Sequence, residues 1–286
     1  LAHKGSSQEI WQNLRFGRSI GGTAEGASRP SGLYPKFDWS IDPALRQGLF
    51  DPDAPYVYQL RAKPRASLKL ARGLALTGTL GINIVNNFDK SKRTSNSVLP
   101  HVRSDVKRYV NEGENGLEYL RLNYMFNIAP ELYGRLTAGY LEEMFAGLAG
   151  EMLYRPQDKR WALGLDLNYV RQRDFNKRFG LRKYEVLSGH LNVYYDLPFH
   201  GYLATVNAGR YLAKDWGMTL QLVRRFNSGI QVGGFATFTD VPFEEFGEGS
   251  FDKGIFVAIP LDLFFTRHTR RRATYLIRPL TRDGGQ

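Results

Sequence analysis

Alternation of apolar and polar residues is the strongest signal in this chain. From Trp161 to Tyr169, every odd-numbered residue is large and apolar, and the residues between them are small or polar. Successive side chains of a β-strand point to opposite faces, so the pattern predicts a strand with one apolar and one wet face. The same period recurs from about residue 36 to 264, and outside residues 8–18 no comparable stretch follows a helical period.

Applied along the whole chain, the alternation predicts about twelve strands. They cover residues 36–48, 56–71, 74–86, 117–128, 131–141, 144–155, 160–172, 184–197, 201–213, 216–227, 230–240 and 254–264. Residues 274–280 are compatible with one further short strand.

The lengths of the connections carry a second signal. Every long connection, at 87–116, 173–183 and 241–253, follows an odd-numbered predicted strand. In an up-and-down sheet these connections share one end and the short turns share the other, as in outer-membrane barrels. A sandwich with Greek-key crossings gives no reason for such segregation. We therefore predict an all-β fold: a transmembrane antiparallel up-and-down β-barrel of about twelve strands.

Three segments follow from this pattern. We expect a linker or periplasmic segment at 1–32, the outer-membrane barrel at 33–265 and a basic periplasmic tail at 266–286. The tail begins with a cluster of arginines: Arg267, Arg270, Arg271 and Arg272. The cluster predicts contact with a periplasmic partner or lipid phosphate, and a merely solvated tail is the alternative. Because the chain starts at Leu1, we expect a processed or excised piece.

Composition narrows the function classes. The 286 residues contain no cysteine, which excludes a disulfide scaffold, thiolate metal sites and a cysteine nucleophile. Mean hydropathy is −0.38 and no apolar run approaches eighteen residues, which excludes a transmembrane helix but not membrane-crossing strands. A net charge of +11 with 13% aromatics also suits nucleic-acid binders. The aromatics share the phase of Leu and Ile, however, so no nucleic-acid partner is expected.

Charged residues fall mainly on the polar phase of the predicted strands, as expected if the other phase faces lipid. Residues on the polar phase are expected to face the lumen and are candidates for contact with a polymer. They are Arg61, Lys63, Lys69, Arg121, Glu151, Arg155, Asp166 and His190. An excess of Lys and Arg in a wet lumen favours anions, whereas charges in a narrow barrel can also pair and plug it. Arg210 and Arg224 fall on the apolar phase, where we expect them at the membrane interface.

Known catalytic and metal-binding motifs are missing from the sequence. The five histidines lack metal-ligand spacing, and no phosphate-binding glycine loop or nucleophile elbow occurs. We expect no catalytic residues, no metal and no cofactor. Ser188 and His190 share one strand face and are the only near candidates for a nucleophile–base pair. Adjacent Glu142 and Glu143 are expected to be solvated in a turn.

One acidic segment, 238–254, stands out. It combines glycines and phenylalanines with Asp240, Glu244, Glu245, Glu248 and Asp252. Clustered oxygens suit calcium, although the spacing does not match an EF-hand loop. A loop that gates the lumen and a solvated surface loop are the other interpretations. We expect loops 87–116 and 241–253 to cover the outer mouth.

Several long strings resemble the YjbH-like family of exopolysaccharide-biosynthesis outer-membrane proteins. They are residues 139–175, the acidic segment, GRYLAKDWG at 209–217, RPLTRDGG at 278–285 and FDWSIDPALRQGLFDPDAP at 37–55. The resemblance spans about 33–286 and implies an outer-membrane barrel with a role in exopolysaccharide or capsule secretion. It also implies a longer protein, and it brings no catalytic residues.

These observations lead to one expected function and two alternatives. We expect a non-enzymatic barrel in the bacterial outer membrane that passes or guides exopolysaccharide. Its partners are expected to be outer-membrane lipid, the polymer and a periplasmic polysaccharide-export protein. The alternatives are a non-conducting scaffold for an export complex and a barrel enzyme that modifies polymer or lipid.

Overall fold

The structure is a computed structural model that describes residues 34–49, 53–91, 95–246, 251–264, 272–278 and 283–286. Several predicted features lie outside these residues, namely the segment 1–32, Glu248, Arg267, Arg270 and Arg271.

In this described part of the chain, thirteen β-strands form one antiparallel sheet, and each strand pairs with the next in sequence. The strands are β1 (Lys36–Leu49), β2 (Tyr56–Ala71), β3 (Leu74–Asn86), β4 (Gly116–Ala129), β5 (Leu132–Tyr140), β6 (Phe145–Tyr154), β7 (Trp161–Arg173), β8 (Leu181–Asp196), β9 (Tyr202–Arg210), β10 (Trp216–Arg225), β11 (Gln231–Thr239), β12 (Asp252–Pro260) and β13 (Arg272–Ile277). Short helices α1 (Val106–Asn111) and α2 (Phe243–Phe246) lie in two connections, and single 3₁₀ turns cover Phe88–Lys90 and Leu261–Leu263.

The all-β, antiparallel, up-and-down prediction is confirmed, and the strand count is corrected from about twelve to thirteen. β13 pairs with β12 from Pro260↔Arg272 to Ile255↔Ile277. β13 has only six residues and lies next to an arginine-rich run. Its alternation is too short to distinguish a strand from a solvated tail by pattern alone. Arg272 consequently belongs to the sheet.

The connections divide between two ends of the sheet. The connections at 87–115 and 240–251 share one end, called here the long-connection end, and the tight turn at 72–73 lies at the other. The connection at 261–271 also lies at the short end and is an exception to the predicted segregation. Because β13 is odd-numbered, it runs towards the long-connection end. With the predicted twelve strands, the last strand would have ended at the short-connection end instead.

Strand periodicity gives the sheet an apolar face and a polar face. Leu167 of β7 and Leu187 of β8 are 53% and 54% exposed on the apolar face, called here the outer face. On the opposite, inner face, β7 and β8 place Asp166 opposite His190 and Asn168 opposite Ser188. The alternation predicted from the sequence therefore holds in register across neighbouring strands.

The first and last strands approach each other without pairing. The Tyr275 hydroxyl of β13 donates to Gln47 Oε1 of β1 at 3.4 Å. Within the residues that the structure describes, no backbone ladder joins these two strands, so the sheet is not closed. The sheet nevertheless curls far enough to bring its two edges within reach of one side-chain hydrogen bond.

The main core lies at the long-connection end, where the connection at 87–115 folds over the inner face. Val102 and Tyr109 from this connection are fully buried against Phe145, Val170 and Phe175. The Tyr109 hydroxyl also donates to the carbonyl of Arg173 at 2.5 Å. Apolar burial here stabilises a cover over that end of the sheet.

Among the described residues, no helix has the length and apolar character needed to cross a membrane.

Candidate functional site on the inner face

A belt of side-chain hydrogen bonds runs around the inner face at mid-strand height. The belt forms because its strand residues stand opposite other polar residues in register, as Asn192 does opposite Asn207, and Tyr211 joins it from just beyond β9. Its members, from β3 to β11, are Thr77, Asn123, Thr137, Arg135, Glu151, Asp166, Asn168, His190, Asn192, Asn207, Tyr211, Thr219 and Thr237.

Asp166 is the centre of this inner belt. Its carboxylate accepts hydrogen bonds from Asn192 Nδ2 at 2.8 Å and Asn168 Nδ2 at 3.0 Å. His190 Nδ1 lies 3.3 Å from the same carboxylate, and Asn207 extends the chain by donating to Asn192. The Asp166 charge is therefore offset by neutral amides and one imidazole rather than by Lys or Arg.

The Ser188–His190 pair does not form a hydrogen bond. The His190 ring packs edge-on against Tyr211, with centroids 4.7 Å apart. His190 Nε2 is buried and has no hydrogen-bond partner among the described residues. Ser188 Oγ therefore does not contact the nitrogen that would act on it as a base.

A second charged pair spans β5 and β6. Arg135 stands opposite Glu151 in register and donates to its carboxylate. Arg121 on β4 stacks on the ring of Tyr119, with its guanidinium carbon 4.1 Å from the ring centroid.

Two adjoining cavities lie along this part of the inner face, with volumes of about 420 Å³ and 600 Å³. Both are lined by Arg135, Glu151, Asp166 and Asn168, so we treat them together as the inner chamber. The smaller cavity extends to Leu212 at the long-connection end. The larger cavity reaches exposed Asn127, near the short turns.

Beside the chamber, four cations contact two carboxylates in a buried ion cluster at the long-connection end. Arg61 pairs with Glu118, and Lys63 Nζ lies 2.5 Å from the other Glu118 oxygen. Glu143 is contacted by Arg46 at 2.6 Å, Arg61 at 3.2 Å and Lys177 at 3.6 Å.

Burial and charge act in opposite directions on Glu143. Burial alone would raise its pKa, but the positive charges of Arg46, Lys177 and Arg61 hold the pKa of this carboxyl well below its usual range. Burial also lowers the pKa of the Lys177 ammonium, and Glu143 partly offsets this effect. Glu143 and Lys177 therefore each favour the ionised form of the other in this buried place. The expectation of a solvated turn carboxylate is wrong for Glu143.

Arg173 joins two connections to the start of β4 behind the ion cluster. Its fully buried guanidinium donates to the backbone carbonyls of Leu117, Glu118, Glu142, Lys177 and Arg178, at 2.6–3.2 Å. Buried polar groups are generally hydrogen-bonded, and the guanidinium supplies donors to these carbonyl oxygens. This arrangement fixes the connections over the inner face.

Residues 283–286 fill the remaining part of the long-connection end. Asp283 is fully buried and accepts hydrogen bonds from the backbone N–H groups of Arg103 at 2.8 Å and Ser104 at 2.9 Å. The Gly285 N–H donates to Asp215 at 2.7 Å, and burial raises the pKa of that Asp215 carboxyl. The chain after β13 thus contacts the connections at 87–115 and 211–215.

The predicted lumen residues are distributed over three places. Arg121, Glu151, Asp166 and His190 line the inner chamber, and Arg61 and Lys63 belong to the ion cluster. Lys69 lies half-exposed near the short turns, 3.6 Å from Asp38. Arg155 follows β6 at the short-connection end and is exposed, so the structure does not bring it to the chamber.

The described carboxylates of the acidic segment have separate surroundings. Asp240 accepts a hydrogen bond from the Trp216 N–H at 2.9 Å, and Asp252 lies 3.5 Å from Arg278. Glu244 and Glu245 are exposed on α2. Within the described ranges, no group of three or more His, Asp or Glu side chains is placed to hold a metal ion.

Sequence reasoning missed several residues of the inner face. Asn192 and Asn207 could have been found, because they lie on the polar phase of strands already predicted. Glu118 and Arg173 could not, because register shifts beside them change which side chains face inwards.

The fold and the inner face define a class: an all-β protein with one up-and-down sheet, an apolar outer face and a polar, hydrogen-bonded inner chamber. The chain matches the family described as "Exopolysaccharide biosynthesis protein YbjH" over residues 20–286, and it belongs to this YjbH family. It is 45% identical over 258 residues to the "Uncharacterized lipoprotein YjbH" of Escherichia coli (strain K12). The match covers 88% of this chain but only 37% of that relative's length. The family resemblance seen in the sequence is confirmed.

Proposed function

We propose that this chain spans the bacterial outer membrane as a β-barrel and takes part, without catalysing a reaction, in exopolysaccharide secretion by guiding the polymer along its inner face. The observation that carries the proposal is the inverted distribution of side chains, apolar outside and polar inside. Soluble monomers rarely expose apolar patches larger than a few hundred Å².

The outer face has the banded pattern of a lipid-facing surface. Exposed leucine and isoleucine side chains occupy the middle of the strands: Leu80, Ile82, Leu122, Leu136, Leu148, Leu165, Leu167, Leu187, Leu191, Leu220, Leu222 and Ile255. Exposed aromatic side chains lie towards the strand ends: Trp39, Tyr124, Tyr154, Tyr195 and Phe226 on one side, and Tyr56, Tyr169, Trp216 and Phe238 on the other. Two aromatic girdles around an aliphatic band are typical of outer-membrane barrels.

Strand length and the few outward charges agree with this proposal. The apolar phase of β7 runs from Trp161 to Tyr169, close to the roughly 9–11 residues that a tilted strand needs to cross a bilayer. The arginines that the sequence places on the apolar phase lie at strand ends, Arg210 as the last residue of β9 and Arg224 next to the end of β10. The Arg224 guanidinium carbon lies 4.6 Å from the Phe226 ring centroid, as suits a side chain at an interface.

The proposed polymer class and the proposed compartment rest on the family and on the named relative. Its description names exopolysaccharide biosynthesis, and the relative is named a lipoprotein, in agreement with a location in the cell envelope. We propose outer-membrane lipid, exopolysaccharide and a periplasmic polysaccharide-export protein as the partners. The arginine cluster at 267–272 is proposed to contact that protein or lipid phosphate.

A second candidate function is a non-conducting scaffold for an export complex. The observation that favours it is the filling of the long-connection end by the ion cluster, Arg173 and residues 283–286. A polymer could pass only if these connections moved apart. Planar-bilayer recording separates the two candidates, since a scaffold stays silent and a conduit conducts.

The experiment for the main proposal is a topology measurement. The chain contains no native cysteine, so single cysteines at Ser95 and Ser228 report on the two ends of the sheet. We expect heat-modifiable migration of the detergent-extracted chain and labelling from outside the cell at Ser95 only. A chain without a heat shift, or labelled at both sites, would contradict the proposal.

A further inference from the structure

Most cations of the inner face are not available to a ligand. In the ion cluster, Arg46, Arg61 and Lys177 surround Glu143, while Lys63 contacts Glu118. These four cations contact only two carboxylates, Glu118 and Glu143, but none of the four lines the inner chamber.

The charges that line the chamber balance. Among its Arg, Asp and Glu side chains, Arg121 and Arg135 supply two positive charges, and Glu151 and Asp166 supply two negative ones. The remaining carboxylate of the lining, Glu142, is paired with Arg103 at 2.7 Å. A chamber of this composition gives a polyanion no net attraction, because steering requires an excess of one sign.

Neutral hydrogen-bonding groups take the place of charge. The chamber lining includes the amides Asn123, Asn127, Asn168, Asn192 and Asn207. A side-chain amide offers a donor and an acceptor side by side, the arrangement that adjacent sugar hydroxyls also have. Among the described residues Asn168 donates once, to Asp166, which leaves its carbonyl oxygen and second N–H for a ligand.

The aromatic rings in the chamber lining and the volume of the chamber also suit a saccharide-binding site. Tyr133 and Tyr194 line the larger cavity near the short turns, where their apolar ring faces can pack against the C–H groups of a sugar ring. The two volumes, about 420 Å³ and 600 Å³, each fall within the range of small-molecule sites. Exposed Asn127 marks the entrance from the short-connection end.

Building on the proposed role in exopolysaccharide secretion, we propose that the inner chamber is a saccharide-binding site selective for uncharged, hydroxyl-rich segments over polyanionic ones. The Asn168 amide beside Asp166 binds the hydroxyls, and the balanced charges offer no attraction to a run of carboxylates. A segment enters from the short-connection end and stops at the ion cluster.

The test measures oligosaccharide binding to the full chain in detergent by isothermal titration calorimetry. The probes are maltohexaose, xylohexaose and laminarihexaose, which are neutral, and hexagalacturonate, which is anionic and of equal length. Low ionic strength makes the comparison stringent, because it exaggerates any attraction of the anion. We expect at least one neutral probe to bind about tenfold more tightly than hexagalacturonate.

Two variants and a matched control locate the site. Asn168→Ala is expected to weaken binding of the neutral probe about tenfold, the loss of one to two hydrogen bonds. Asn127→Ala removes an exposed amide at the entrance, with little risk to folding, and is expected to weaken it several-fold. Gln221→Ala removes an inner-face amide of β10 outside the chamber lining and is expected to change nothing.

The outcomes separate this inference from the proposed function. A chain that shows heat-modifiable migration but binds none of the four probes, or prefers hexagalacturonate, overturns the saccharide site and leaves the outer-membrane proposal standing. Equal binding by wild type, Asn168→Ala and Asn127→Ala also overturns it. A chain without a heat shift overturns the proposed function itself.

Discussion

At the scale of single residues, Glu143 is the position of the ion cluster where a substitution should cost most stability, because three cations contact its one carboxylate. We predict that Glu143→Gln lowers the free energy of unfolding by about 3–5 kcal/mol, the cost of leaving buried charges uncompensated. Urea titration in detergent, with the folded fraction measured from heat-modifiable migration, measures the change.

The neighbouring residue provides the control. Glu142 pairs with Arg103 but is 38% exposed, so Glu142→Gln is expected to cost at most about 1 kcal/mol. The lowered pKa of Glu143 means that its contribution is present above its unfolded-state pKa and is lost as pH falls. Wild type should therefore lose stability below about pH 4.5 more steeply than Glu143→Gln. Equal losses for both variants would contradict the ion-cluster argument.

At the scale of elements, the tight β2–β3 turn depends on Gly73. Its φ is +77°, and a Cβ at this position would lie 2.0 Å from the carbonyl oxygen of Met125. We predict that Gly73→Ala lowers the free energy of unfolding by about 1–3 kcal/mol, since the backbone cannot relax without breaking the β3–β4 ladder. The same urea titration measures it.

Gly150 is the matched control for this substitution. It lies in β6, and a Cβ there would meet only Leu136 Cδ2, at an ordinary 3.6 Å. Gly150→Ala is therefore expected to change stability by no more than about 0.5 kcal/mol. Similar values for the two alanine variants would show that the turn tolerates a side chain.

The elements also show what a pattern can and cannot predict. Long alternating strands such as β7 and β8 were predicted within a few residues, because the period fixes both their existence and their faces. The last strand was indicated only as a compatible short segment at 274–280, because the six residues of β13 give too few alternations to fix its bounds. The inner belt follows from register, whereas Glu118 and Arg173 face inwards beside β-bulges that no period describes. Asp283 contacts a connection about 180 residues away in sequence, which local patterns do not encode.

At the scale of the whole molecule, the two faces of the sheet carry separate tasks. The outer face is uniform across neighbouring strands, as a lipid solvent requires, so its composition says little about the cargo. The inner face is heterogeneous, with paired cations at one end and neutral amides along the chamber. Net charge is therefore a poor guide to the ligand, because the cations of the ion cluster do not line the chamber.

The curl of the sheet allows a direct test of the whole architecture. β1 and β13 are the most distant strands in the pairing order, yet Tyr275 and Gln47 are within hydrogen-bond distance on the outer face. We predict that cysteines at Gln47 and Tyr275 are joined by a short bis-maleimide reagent, giving a faster-migrating band on denaturing gels. The chain has no native cysteine, so no other pair competes. Cysteines at Gln47 and Leu167, on β1 and the outer face of β7, should stay unlinked, because six strand spacings of about 4.8 Å separate them along the sheet. Linking of the second pair but not the first would mean that the sheet curls differently, and the inner chamber would lose its enclosing wall.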